Sequence, residues 1–133
     1  MNRNVILTIT SLLSILFVTI HIAEDIVRGF EPGGFKNVQG FLTLVVWLYG
    51  TLMLSERRSG HVIMLLGAIL GVLVSIAHMR GAGLVGGRIA DSSGMFFWVW
   101  TLLALGVTSI FSVILSARGL WSLRRGGLPI RKV

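Results

Sequence analysis

Four apolar runs, each close to the length of a membrane-crossing helix, constrain this chain more than any other feature. They occupy residues 5–27, 38–54, 62–79 and 95–115, and neither proline of the chain falls inside one. The hydrocarbon core of a bilayer is about 30 Å thick and takes roughly 20 helical residues to cross. Lipid offers exposed backbone no hydrogen bonds, so only helices and closed barrels can span it. The runs lack the period-2 alternation of barrel strands. The expected fold is therefore all-α, a single polytopic domain over residues 1–133 built as a four-transmembrane-helix bundle, with an interfacial basic tail at 118–133. The second run is the shortest.

Turn-forming sequence separates the runs: Glu31-Pro32-Gly33-Gly34, then Ser55 to Gly60, then a glycine-rich stretch from Gly81 to Gly94. The composition fits the same reading, because 54% apolar and 13% charged residues with a mean hydropathy of +0.87 exceed what a soluble chain of 133 residues could bury. The absence of cysteine removes disulfides, thiolate metal sites and cysteine-based enzymes. The first run starts like a secretory signal. Its length, and His21 where a cleavage site needs a small residue, instead make it the first helix.

Charge sets the expected orientation. With the N-terminus inside, eight Lys and Arg lie on the inner side (Arg3, Arg57, Arg58, Arg118, Arg124, Arg125, Arg131 and Lys132) and four outside (Arg28, Lys36, Arg80 and Arg88). Glu24, Asp25, Glu31 and Asp91 also fall outside and only Glu56 inside, so the inner face carries the whole net charge of +7. The positive-inside rule then puts both termini in the cytoplasm, as in a multi-pass protein of a bacterial inner membrane. The aromatic cluster from Phe96 to Trp100 falls at the outer boundary and Trp121 at the inner one. The basic residues flank apolar runs and form no face of their own, which argues for a lipid partner and against nucleic acid.

The halves of the chain also resemble each other. Val5-Ile6-Leu7 and His21 match Val62-Ile63-Met64 and His78 at an offset of 57, and the stretch from Thr51 to Arg57 matches that from Ser112 to Arg118 at an offset of 61. Two repeated helical hairpins would be related by a pseudo-twofold along the membrane normal, with His21 and His78 level. Apolar helices resemble one another cheaply, so the histidine match carries most of this argument.

The chemistry-bearing residues gather at the outer ends. His21, Glu24, Asp25 and Arg28 share one stripe of the first helix, and His78 sits at the matching depth of the third. Imidazoles on two helices with carboxylates three and four residues from one of them can ligate a transition metal, with His21, Glu24, Asp25 and His78 as the ligand set. The same two histidines could be axial ligands of haem b, with Arg28, Arg80 or Arg88 meeting the propionates. Against both stands simple hydrogen bonding and ion pairing in headgroup water. His61, in the inner turn, is expected at the interface. Rows of small residues (Thr10, Ser14 and Val18; Gly67, Gly71 and Ser75) are expected to pack helices, and if the first and third helices touch along them a haem would need those helices to splay; Thr108, Ser112 and Ser116 form a similar row for bundle packing or a subunit interface.

Several classes are disfavoured. No ionisable residue lies near the middle of a run, as ion-coupled transporters usually require. The letters G-x-G-x-x-G at residues 81–86 follow a membrane helix and do not open one after a strand. The leading expectation is a non-enzymatic membrane subunit, packing with itself or with other membrane subunits, with a His/acid cluster at its outer end. The alternatives are a His-ligated metal or haem protein for electron transfer or metal handling, and a small channel or facilitator.

Overall fold

The computed structural model describes residues 3–31, 34–82 and 93–124. Within them the chain is helical throughout: α1 (Arg3–Val27), a 3-10 turn (Gly34–Asn37) running directly into α2 (Val38–Met53), α3 (Arg58–Ala82) and α4 (Ser93–Arg124), with no strand among the described residues. Three of these helices are long and apolar enough to cross a membrane, whereas α2 has only 16 residues. The loop expected over 81–94 begins within α3 and ends within α4; its middle, residues 83–92 with Arg88 and Asp91, and the tail beyond Arg124 lie outside the described residues.

Two boundaries depart from expectation in the same direction. The helix over 62–79 starts at Arg58 and reaches Ala82, and that over 95–115 runs on to Arg124, so Arg118 to Arg124 continues α4. The apolar count marks where lipid-compatible residues stop. Helix propensity continues through Arg, Leu, Ser and Trp beyond the apolar run, and α4 passes through Gly119 without ending there.

The helices form an up-down-up-down bundle in which α4 packs along both α1 and α3, α2 lies against α3 and α1, and α1 meets α3 only sparingly across the diagonal. The small-residue rows of α1 and α3 therefore meet α4 and α2 more than each other. Thr10 and Ser14 of α1 face α4, where Ser14 Oγ donates to Thr108 Oγ1 (3.0 Å) and Ser112 Oγ donates to Thr10 Oγ1 (3.0 Å). On α3, Gly71 presses on Ser109 and Ser75 Oγ donates to the Leu102 carbonyl (3.1 Å), both on α4, while Gly67 receives the Trp47 indole of α2. Consecutive antiparallel helices are neighbours because their connections are short; the like-oriented pair, α1 and α3, is left on the diagonal.

Buried hydroxyls hold α1 to α2 as well: Trp47 Nε1 donates to Ser11 Oγ (2.9 Å), which lies 2.8 Å from Thr51 Oγ1. In an apolar setting such bonds contribute about 0.6–2 kcal/mol each. Around this interior the large apolar side chains point outward, among them Phe41, Val46, Tyr49, Leu66, Leu73, Val107 and Phe111. That continuous apolar exterior fits membrane association.

A side chain at Gly67 would collide with the Trp47 ring, whose indole is 2% exposed. Gly67→Leu is therefore expected to pry α2 from α3 and lower stability by about 1–3 kcal/mol, the usual cost of overpacking. Thermal unfolding in detergent measures it; an unchanged midpoint would contradict this packing.

Candidate metal centre

At the far end of the bundle from Arg3, three helices bring four side chains together. His21 and Asp25 are four residues apart and share a face of α1, both buried. Gly29, at φ +74°, ends the helix one residue beyond Arg28 in the left-handed conformation that glycine tolerates best. The Phe30 amide then turns back to the Asp25 carbonyl (2.8 Å) and the Gly29 amide to that of Ile26 (3.1 Å). This turn carries Phe30 to within 6.4 Å of the Trp98 ring.

The other two side chains arrive from α3 and α4. His78 Nε2 lies 3.5 Å from Asp25 Oδ2, and His21 Nε2 lies 3.4 Å from the same oxygen. The second carboxylate oxygen, Oδ1, accepts a 2.7 Å hydrogen bond from Trp98 Nε1. The imidazoles meet edge to face with ring centroids 4.9 Å apart, and Trp98 stands 5.2 Å from His21 and 6.1 Å from His78. One ligand atom each from His21, Asp25 and His78 can be chosen so that all lie within 4.8 Å of one another.

Protonation follows from the partners. His78 Nδ1 is 2.9 Å from the Val74 carbonyl, which can only accept, so Nδ1 carries a proton. In a neutral ring Nε2 is then a bare lone pair, and it faces a carboxylate oxygen. His21 is 1% exposed and neither of its ring nitrogens has a hydrogen-bond partner. Buried polar atoms left unpaired cost about 1–3 kcal/mol each. With the His21 proton on Nδ1, three electron-rich atoms converge here: His21 Nε2, His78 Nε2 and Asp25 Oδ2.

Not every expected residue joins this group. Glu24 turns from it: Oε1 is 3.8 Å from an Arg28 guanidinium nitrogen and Oε2 is 3.3 Å from the Thr101 hydroxyl. One residue of helix rotates a side chain by about 100°, enough to take Glu24 off the face that Asp25 shares with His21. The haem reading fits poorly, because two imidazoles in edge contact beside one carboxylate oxygen leave no space for a porphyrin between them. The side chain of Arg80 lies outside the described residues, as does Arg88.

One participant in the centre escaped the sequence reading, and one histidine elsewhere did too. Trp98 reads as one more aromatic of an interfacial cluster, yet it is 3% exposed while Phe96, Phe97 and Trp100 face outward. The signal available was its i, i+3 spacing to Thr101, which puts an indole N–H and a hydroxyl on one face of α4. His61 is the other. Expected at the interface, it is 4% exposed, with its ring against Gly119 of α4.

The centre opens to a groove of about 690 Å³ between α1 and α2, bordered by His21, Asp25, His78, Glu31 and Asn37. Ligand exchange therefore has a route from one side. Among known proteins, no family model, no curated protein and no solved structure matches this chain.

Proposed function

We propose that this chain is a polytopic membrane protein that holds one divalent transition-metal ion on His21, Asp25 and His78 and exchanges it through the adjoining groove. A single observation carries the reading: three buried or half-buried ligand atoms point at one another, and His21 has no other partner for either nitrogen. In a tetrahedral site with bonds of about 2.0–2.1 Å the ligand atoms lie roughly 3.3 Å apart. The two imidazole–carboxylate separations, 3.4 and 3.5 Å, lie close to that spacing, while the set as a whole reaches 4.8 Å, so the imidazoles would draw together on an ion. Two imidazoles with one carboxylate suit zinc and its neighbours in the first row, and three protein ligands leave a position free for water or cargo.

The surroundings support the ligands. Val74 holds His78 in the tautomer that presents Nε2, and Trp98 fixes the Asp25 carboxylate through its other oxygen. A proton is the rival occupant. It would pair His78 with Asp25, with His21 turning its own N–H to the same oxygen, whereas a cation at the centre would engage all three side chains through lone pairs.

In this reading all four helices cross the bilayer, with both termini cytoplasmic and the metal centre at the extracytoplasmic end of a bacterial inner membrane. The distribution of Lys and Arg supports that orientation. The level placement of His21 and His78 is consistent with duplicated hairpins. The exposed faces of α2 are left for lipid or for a neighbouring subunit.

The protein purified in a non-ionic detergent is expected to retain close to one zinc or cobalt ion per chain. Elemental mass spectrometry reads the stoichiometry and the visible spectrum of cobalt reads the geometry. A chain that takes up neither ion at micromolar concentration would remove the proposal. Trp98→Phe keeps the ring and loses the hydrogen bond to Asp25, and is expected to weaken binding about 10- to 100-fold. Competition with a chromogenic chelator measures that loss.

A further inference from the structure

The opposite end of the bundle holds a second polar enclosure that the metal centre does not use. A cavity of about 470 Å³ is bordered by Arg3 of α1, Glu56 of the turn before α3, His61 of α3, and Arg118, Gly119 and Ser122 of α4. His61 is 4% exposed and its Nδ1 has no hydrogen-bond partner. Two guanidinium groups face this space against one carboxylate. Both α1 and α3 also begin here, at Arg3 and Arg58. Their N-terminal amides and the positive ends of their dipoles point toward this end of the bundle.

From this convergence we propose that the cavity binds a phosphate oxyanion between Arg3, Arg118 and His61. Guanidinium groups match phosphate oxygens in pairs, and the positive ends of the α1 and α3 dipoles favour an anion at this end of the bundle. His61, buried within the wall, supplies a ring N–H from the side. Gly119 makes room for it, since a methyl group there would overlap the imidazole. The oxyanion can belong to free phosphate or to the headgroup of an anionic phospholipid. Glu56 sets the rim, opposing a second negative charge.

The full chain in neutral detergent tests this in two arms. In the first, inorganic phosphate is titrated calorimetrically; in the second, phosphatidylglycerol or phosphatidylcholine is added and retained lipid is counted by native mass spectrometry. Saturable phosphate binding identifies the free ion, and selective retention of phosphatidylglycerol identifies the headgroup. In either case R118Q is expected to weaken binding at least tenfold, and Gly119→Ala to weaken it by displacing His61 with no change of charge. E56Q, at an exposed turn position, is expected to strengthen it severalfold. Helical circular dichroism confirms that each variant folds. No binding in either arm, or binding equal in wild type, R118Q and Gly119→Ala, overturns the proposal.

Discussion

His78→Ala is expected to abolish stoichiometric metal binding while leaving the helical bundle intact. His78 is the most exposed of the three ligands, with 36% of its side chain accessible, and α1 and α3 touch only lightly. Removing its ring therefore opens little of the core. It does remove one of only three protein ligands, so the loss should exceed the roughly 10- to 100-fold that follows from losing an outer hydrogen-bond partner. His21→Ala should eliminate binding equally but with a stability cost, because His21 is almost fully enclosed and its loss leaves a void. Asp25→Asn separates charge from shape: the amide can still accept from Trp98 Nε1, yet the centre loses its anion. Glu24→Gln is the internal control, since Glu24 pairs with Arg28 and Thr101 and not with the histidines. Metal retained in His78→Ala, or lost in Glu24→Gln alone, would overturn the assignment of ligands.

The contrast between Asp25 and Glu24 also shows what a sequence of this kind can and cannot reveal. Spacing along one helix put both carboxylates near His21, and the run lengths placed His78 at the same level. Which carboxylate turns inward depends on the rotation of α1 about its axis, and that is set by Thr10, Ser14 and Asp25 bonding to α4. Nothing local to residues 21–28 encodes it. The same holds for the small-residue rows. Their composition marks close packing faithfully, but the partner follows from the cyclic order of four helices, which gives the rows of α1 and α3 to α4 and α2 more than to each other. The burial of His61 was not legible because the apolar run starts only at Val62, whereas the helix begins at Arg58 and carries the ring inward against Gly119. Patterns within a helix were legible, and contacts between helices were not.

The orientation proposed for the chain turns on α2, and single-cysteine labelling should settle it with an all-or-none result. A helix of 16 residues spans about 24 Å, short of the roughly 30 Å hydrocarbon core. The 3-10 turn Gly34–Asn37 continues into it without a break and rises about 2 Å per residue, which restores most of the difference. Phe35 on that turn is 96% exposed, as an aromatic at the membrane boundary would be. The alternative, α2 lying along one surface, would require α1 and α3 to cross in opposite senses. They do not: His21 and His78 share one end of the bundle while Arg3 and His61 border the cavity at the other. Two like-oriented helices in succession require the chain to return, and α2 is the only helix between them. The chain has no native cysteine, so Glu31→Cys and Glu56→Cys can be read against no background. A membrane-impermeant maleimide added to intact spheroplasts is expected to label position 31 fully, and position 56 only after permeabilisation. Labelling of both positions before permeabilisation would mean that α2 does not cross. Labelling of position 56 alone would mean that the bundle is inverted, with the metal centre facing the cytoplasm.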